Sequence, residues 1–334
     1  MNRLQRVIEG QSLNQQQSYQ LFEQLLAGEL EPSMIAGLLT AMRIKGETPE
    51  EIAGAALAVR HAAKPFPEHS HTLVDCVGTG GDGHHTINIS TTAAIVAGAC
   101  GLHVAKHGNR NVSSKSGSAD LLEALGVNLT MSPETALDCL NSAGICFLFA
   151  PHYHAAFKHV APIRKQLGVR TIFNILGPLV NPAAPQVMLV GVYDKSLLKP
   201  MAQALRLTGV QRAWVVYGAG LDEIAIHDST DIIEIKDGQL YEKRLQPSDV
   251  GLPSYPLSAI KGGDPQQNAK DCMAVLEGKG QAAHRDAVLI NSAALLYLAN
   301  KASNLIDAIE LARHVLRTGK AAQCLRTLAE VSHG

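Results

Sequence analysis

The chain has 334 residues, enough for about two domains, and is 46% apolar and 18% charged. Such a chain can bury a large core, which excludes disorder and a small disulfide-stapled scaffold. Its 29 Lys and Arg balance 30 Asp and Glu, leaving a net charge of −1, so a protein built to neutralise a nucleic-acid backbone is also excluded.

The six cysteines (Cys76, Cys100, Cys139, Cys146, Cys272 and Cys324) form no C-x-x-C pair. They read as reduced thiols of a cytoplasmic protein, not as zinc ligands. The start, Met1-Asn-Arg-Leu-Gln-Arg6, has no apolar signal core. No apolar run approaches the ~18 residues that a membrane span needs.

Residues 1–66 read as a small helical domain. Asn14 and Gln17 form a capping-box pattern before the stripe Leu21, Phe22, Leu25 and Leu26, which ends at Gly28. Pro32 opens a second helix with Ile35, Leu38, Leu39 and Met42 on one face and Gly46 as its stop. Thr48-Pro49-Glu50-Glu51 starts a third, continued by Ile52, Ala55, Ala56 and Val59. Three short striped helices need a further surface to cover them, and a second subunit is one candidate.

After the connector Lys64-Pro-Phe-Pro-Glu68 the pattern changes, and residues 70–334 read as a large α/β domain with a mostly parallel sheet. Strands are expected at Leu73–Val77, His103–Lys106, Ile145–Phe149, Val187–Val192 and Ala213–Tyr217, with helices at Thr91–Ala99, Ala119–Leu125 and Pro133–Ala143. Asp237-Gly238 marks a hairpin between Ile232–Ile235 and Leu240–Arg244. Helices at Pro265–Leu276, Ala282–Ala299, Leu305–Leu316 and Ala321–Val331 close the chain.

Chemistry concentrates where strands end. Val77-Gly78-Thr79-Gly80-Gly81-Asp82-Gly83 is a glycine-dense turn whose amides can close on an anion, or simply a tight turn. Gly78, Gly80 and Gly83 also spell a dinucleotide fingerprint, but no helix is expected at the glycines and no acid follows at the second strand, where Lys106-His107 stands instead. The P-loop pattern fails too, because His84-His85 replaces its Lys-Ser/Thr. Next, Ser90 or Thr91 is placed to cap a helix and to offer hydroxyls to an anion or its counter-cation.

The segment from Lys106 to Ser118 is basic, rich in hydroxyls and jointed by glycine, as a polyphosphate requires, or else a solvated turn. Ser118 precedes a helix and is a candidate cap. Asp222-Glu223 follows a strand and the Gly218–Gly220 turn; such a pair is either solvated or holds Mg²⁺ beside phosphate oxygens. His152 and His154 could line a site or pack harmlessly. No motif for nucleophilic catalysis is present.

Taken together, Gly78-Thr-Gly-Gly-Asp82, Asn88-Ile-Ser-Thr91, Lys106-His-Gly-Asn-Arg110, Ser113 to Ser118 and Asp222-Glu223 resemble the anthranilate phosphoribosyltransferases of tryptophan biosynthesis. The likeness extends to Arg170-Thr-Ile-Phe-Asn174 and Gly177-Pro-Leu-Val-Asn-Pro182 and runs from end to end.

The resemblance implies a soluble, cytoplasmic homodimer that moves the phosphoribosyl group of phosphoribosyl pyrophosphate (PRPP) to the amine of anthranilate. It assigns the PRPP site to Gly78, Gly81, Asp82, Thr86, Asn88, Ile89, Ser90 and Thr91, with Lys106, His107, Gly108, Asn109, Arg110, Asn111, Val112, Ser113, Ser114 and Ser118 closing over the same substrate. Gly78, Asn109 and Arg164 match the anthranilate contacts. Ser90, Asp222 and Glu223 match ligands of two Mg²⁺ ions, Glu223 serving both. The helical domain, with part of 164–182, would make the dimer contact.

Asn111 departs from the family, where a small residue is more usual, and His84 and His85 fall in a variable loop with no role implied. A pyrimidine nucleoside phosphorylase shares the fold and a Lys-His-x-Asn-Arg stretch, but would leave Asp222-Glu223 without a purpose. A non-catalytic, nucleic-acid-binding relative would show a basic stripe and degraded loops, and this chain shows neither.

Overall fold

Capping chemistry sets the helical body. In the computed structural model, which describes residues 3–110 and 116–334, four helices precede the first strand: α1 (Arg3–Ile8), α2 (Gln15–Leu26), α3 (Pro32–Lys45) and α4 (Pro49–His61). The expected capping boxes form at Asn14/Gln17 and Thr48/Glu51, and Gly46 stops α3 at φ +84°. Helix α1 is an addition to the three expected, because its six residues are too few to show a period, yet Leu4 and Val7 are buried.

Glu51 does more than cap. Its side chain is fully buried, accepts hydrogen bonds from the amides of Leu13 (2.9 Å) and Thr48 (2.9 Å), and pairs with Lys45 Nζ at 2.7 Å. One carboxylate thereby ties the α1–α2 turn, the end of α3 and the start of α4. Helices α2 and α4 cross at Gly54, where a Cβ would lie 2.3 Å from the Gln15 carbonyl.

The large domain runs β1 (Leu73–Gly78), α5 (Ile89–Ala99), β2 (His103–Gly108), α6 (Ser118–Ala124), α7 (Pro133–Ala143) and β3 (Ile145–Phe149). Three short helices follow, α8 (Ala150–Tyr153), α9 (Ala161–Leu167) and α10 (Phe173–Leu176), then β4 (Val187–Gly191), α11 (Leu198–Leu207) and β5 (Arg212–Tyr217). The hairpin β6 (Thr230–Lys236) and β7 (Gln239–Leu245) turns at Asp237-Gly238, and α12 (Pro265–Leu276), α13 (Ala282–Leu298), α14 (Leu305–Arg317) and α15 (Lys320–Val331) complete the fold. Helix α11 lies outside the sequence pattern because Lys199-Pro200 reads as a break, whereas proline is tolerated in a first turn.

The seven strands lie in the order β3-β2-β1-β4-β5-β6-β7, parallel through β5 and antiparallel at the hairpin. The chain order reverses between β1 and β4, and the carboxyl ends of those strands form the crevice where open α/β sheets bind ligands. Side chains alternate between two buried faces. Leu189, Trp214 and Val216 face α5, α13 and their neighbours, while Met188, Val190, Ala213 and Val215 face α11 and the helical body.

The segment 160–180 leaves the sheet and joins that second core. Val160, Ile163, Ile172, Phe173 and Leu176 pack in one cluster with Phe22, Leu25 and Ile35. Phe22 and Phe173 lie 6.0 Å apart between ring centroids.

Replacing Glu51 with Ala strands the Leu13 amide and the Lys45 charge together. It is expected to cost about 3 kcal/mol of stability in denaturant titrations, with Glu51→Gln milder.

Candidate active site

Adjacent strands β1 and β4 both end in glycine, and Gly78 is paired in register with Gly191. The loop that follows β5 lies across them. A Cβ at Gly78 would fall 2.2 Å from Asp222 Oδ2, and one at Gly191 would fall 1.6 Å from the Asp222 carbonyl oxygen. Gly218 is under the same constraint, with a Cβ 2.3 Å from the Glu223 carbonyl oxygen. Buried Asn291 on α13 fixes the far side of the loop, accepting from the Ile224 amide at 3.0 Å and donating to its carbonyl at 3.1 Å.

The acid pair therefore sits against the glycine turn. The Gly80 amide donates to Asp222 Oδ2 at 2.7 Å, and the Ser90 amide, in the first turn of α5, donates to Glu223 Oε1 at 3.1 Å. Asp222 and Glu223 are half-buried, not the solvated pair that their sequence setting allowed. Gly80, Gly81 and Gly83 all adopt positive φ. The amides of Gly81, Asp82 and Gly83 have no hydrogen-bond acceptor among the described residues, which is the arrangement of an anion cradle.

Burial, reinforced by the Asp82 charge, raises the pKa of Asp222 to about 7; burial and the Asp222 charge raise Glu223 to about 8. Both carboxyls thus resist ionisation together, a penalty that a cation offsets. The donors here, the two carboxylates and the Ser90 hydroxyl, are all hard oxygens, which suits Mg²⁺. Among the described residues no cluster of three or more acidic, His or Cys side chains is preassembled as a chelate. Such a site fits a metal whose shell is completed by substrate phosphates and water.

Other expected residues divide by where their side chains point. Helix α5 starts at Ile89 with Asn88 as its N-cap, so neither Ser90 nor Thr91 is the cap. Ile89 and Thr91 are buried, leaving them only backbone to offer a ligand. Asn88 donates to the Ser116 carbonyl at 3.0 Å and accepts from Asn268 of α12 at 2.8 Å, tying the glycine turn to the basic loop. Thr86 bridges to Lys261, a backing strip (residues 260–268) with no motif of its own in the sequence.

Lys106 is only 2% exposed and turns inward, donating to the Cys76 carbonyl at 2.6 Å. Its charge opposes the rise that burial imposes on Asp75, to about 6, and on Glu223. Asn181 donates to both Asp75 Oδ2 (2.9 Å) and the Ala105 carbonyl (2.7 Å) beside it. His107 is buried with His154, their Nε2 atoms 3.2 Å apart. Burial drives both pKa values down, that of His154 to about 4, so the pair is neutral.

Gly108 is required where Ser118 Oγ would meet a Cβ at 2.2 Å. Ser118 is the first residue of α6, not its cap, which is Gly117. Its hydroxyl donates to the Asn109 carbonyl at 3.3 Å. Arg110 is already engaged, paired with Asp120 (3.0 Å) and Glu123 (2.7 Å). Asn111, Val112, Ser113 and Ser114 lie outside the described residues. Arg164, on α9, stands over the Phe173 ring at 5.3 Å and makes no hydrogen bond to either loop among the described residues.

Against this geometry the comparisons are decisive. Residues 2–63 match the helical bundle domain of a glycosyl transferase family, and residues 70–322 match its a/b domain. The anthranilate phosphoribosyltransferase of Colwellia psychrerythraea is 59% identical over 98% of this chain and 90% of its own length. The chain belongs to the anthranilate phosphoribosyltransferase family.

That of Aeromonas hydrophila is 52% identical over 99% of this chain and 96% of its own. Among solved structures, the Thermus thermophilus anthranilate phosphoribosyltransferase is 43% identical, covers 100% of both chains and superposes with a TM-score of 0.95. The Saccharomyces cerevisiae anthranilate phosphoribosyltransferase, solved in complex with PRPP and Mg, is 29% identical over 96% of this chain and 94% of its own, with a TM-score of 0.87.

Because the native state holds protons on Asp222 and Glu223 that the unfolded chain releases near pH 4, stability falls as pH rises towards 8. Asp222→Asn removes part of this penalty. Metal-free Asp222→Asn is expected to melt above the unsubstituted protein at about pH 8.5 but not at about pH 5, by scanning calorimetry, while losing Mg²⁺-dependent turnover.

Proposed function

We infer that this chain transfers the phosphoribosyl group of PRPP to the amine of anthranilate, giving N-(5-phosphoribosyl)anthranilate and pyrophosphate, a step of L-tryptophan biosynthesis. The observation that carries the reading is the acid pair laid against a turn of unpaired amides at the switch point of the sheet.

In this reading the free amides of Gly81, Asp82 and Gly83, with Asn88 and the start of α5, grip the diphosphate and ribose of PRPP. Residues 106–114 and Ser118 are assigned to the same substrate, although residues 111–114 lie outside the described part of the chain. Ser90, Asp222 and Glu223 hold two Mg²⁺ ions, which when bound draw off the charge of the departing pyrophosphate. The amine nitrogen forms a bond to ribose C1, and the C1–oxygen bond breaks with its electron pair leaving on pyrophosphate. An N-aryl ammonium is a strong acid, so its proton passes to water without a dedicated base. The lowered pKa of His107 agrees, since it makes that imidazole a poor proton acceptor.

Asn109 and Arg164 are assigned to anthranilate, the guanidinium to its carboxylate. Gly78, where β1 meets the acid loop, lies where the two substrates approach. The mixture to test is anthranilate with PRPP and Mg²⁺. Anthranilate fluorescence is expected to fall only when all three are supplied with the protein; consumption of a nucleoside with phosphate instead would favour a phosphorylase.

Two coarser properties belong to the same reading. Residues 1–66, with part of 164–182, form the homodimer contact. An open groove of about 700 Å³ between α1 and α3 supports it, lined by Val7, Ala36 and Ala41 and flanked by Ile8 (58% exposed) and Ile44 (81% exposed). Ile44→Glu is expected to halve the mass measured by light scattering. The cytoplasm is the compartment proposed, supported by six unpaired cysteines, five of them buried, and by the absence of any described helix long and apolar enough to cross a membrane.

A further inference from the structure

Three left-handed glycines in four residues leave the turn after β1 with little to hold its shape. Among the hydrogen bonds that do so are four on the Thr79–His84 backbone. Two are to neighbouring loops and strands, from the Thr79 amide to the Gly191 carbonyl (3.0 Å) and from the Gly80 amide to Asp222. One is local, from the His84 amide to Asp82 Oδ1 (3.1 Å). The fourth comes from Arg170, whose Nη2 donates to the Gly81 carbonyl at 2.9 Å.

Arg170 is itself set by an aromatic platform. Its guanidinium lies 4.0 Å from the centroid of the Tyr193 ring. The Tyr193 amide donates to Thr79 Oγ1 at 3.1 Å, so the platform is pinned to the same turn. On its other side Arg170 leads, after Thr171, into Ile172 and Phe173, which are buried in the helical core with Phe22 and Leu25. No other side chain among the described residues joins that core segment to the glycine turn by a hydrogen bond.

The geometry points to Arg170 as a positioning residue for the phosphoribosyl donor, acting through the Gly81–Asp82 peptide. A trans peptide sends its C=O and N–H in opposite directions. With the Gly81 carbonyl held toward Arg170, the Asp82 amide is turned away from it and, among the described residues, has no acceptor, so it is available to an anion. The guanidinium therefore orients a donor that it does not itself supply, and it links the helical core to the cradle. This rests on the function proposed above and adds to it a residue outside the acid pair and the basic loop.

The test combines kinetics with hydrogen exchange on the intact protein. Arg170→Ala is expected to raise KM for PRPP about tenfold, with kcat lowered less than about threefold and KM for anthranilate within about twofold. Arg170→Lys recovers part of the loss, because one ammonium donor can reach the Gly81 carbonyl but the planar stack on Tyr193 is gone. Without ligands, amide exchange in the peptide covering 78–86 is expected to quicken about fivefold or more in Arg170→Ala, with exchange in α2 and α4 unchanged.

Unchanged exchange in that peptide, an unchanged KM for PRPP, or a rise confined to KM for anthranilate would each overturn the proposal. If Arg170→Ala fails to fold, the same two readouts on Arg170→Lys decide it. Should the unsubstituted protein consume no anthranilate, the proposed function fails, and the exchange experiment still reports separately whether Arg170 holds the turn.

Discussion

One steric constraint organises this molecule: the loop bearing Asp222 and Glu223 crosses the ends of β1 and β4 at a distance that admits no Cβ. At Gly191 a methyl group would sit 1.6 Å from the Asp222 carbonyl oxygen, and at Gly78 2.2 Å from its carboxylate. Those contacts place two carboxyls from the end of β5 against amides from the end of β1. The strand order makes this possible, since β4 alone separates β1 from β5. Everything proposed about the chemistry depends on that crossing.

The site is also an electrostatic compromise. Carboxyls crowded and half-buried beside one another are stable only when protonated or when a cation is supplied, and their raised pKa values express that cost. Beneath them, Lys106, Asp75 and Asn181 form a buried polar layer that joins β1, β2 and the segment returning from the helical body. Lys106 thus serves the acid pair from inside the sheet, while Arg110, the other cation of its stretch, is held by Asp120 and Glu123. Positive charge in this stretch is thereby already partly committed within the protein, which, under the proposed function, leaves more of the diphosphate's recognition to amides and metal.

Much of this was legible in the residues. Capping boxes at Asn14 and Thr48, the run of strands from Leu73 to Tyr217 and the Asp237-Gly238 hairpin each follow from local chemistry that tertiary packing does not override. The resemblance supplied the family. What stayed hidden depended on long-range contact. Nothing in Gly191 or Gly218 advertises that a loop lies across it, and the sequence spacing of Asp222 from Gly80 says nothing of their 2.7 Å hydrogen bond. Lys106 and Arg110 read as loop cations because burial and pairing are invisible in a string. Ser90, Thr91 and Ser118 were placed one to three positions wrong as caps, since Asn88 and Gly117 take that role. Arg170 belonged to a recognisable stretch, but only the fold shows which carbonyl it reaches.

The most direct test of the central claim is an anomalous-diffraction measurement on crystals grown with PRPP and Mn²⁺ in place of Mg²⁺. The expected result is metal density bridging Asp222, Glu223 and the diphosphate, with the diphosphate on the amides of residues 81–83. Metal density elsewhere, or a diphosphate bound with both carboxylates turned away from it, would contradict the account.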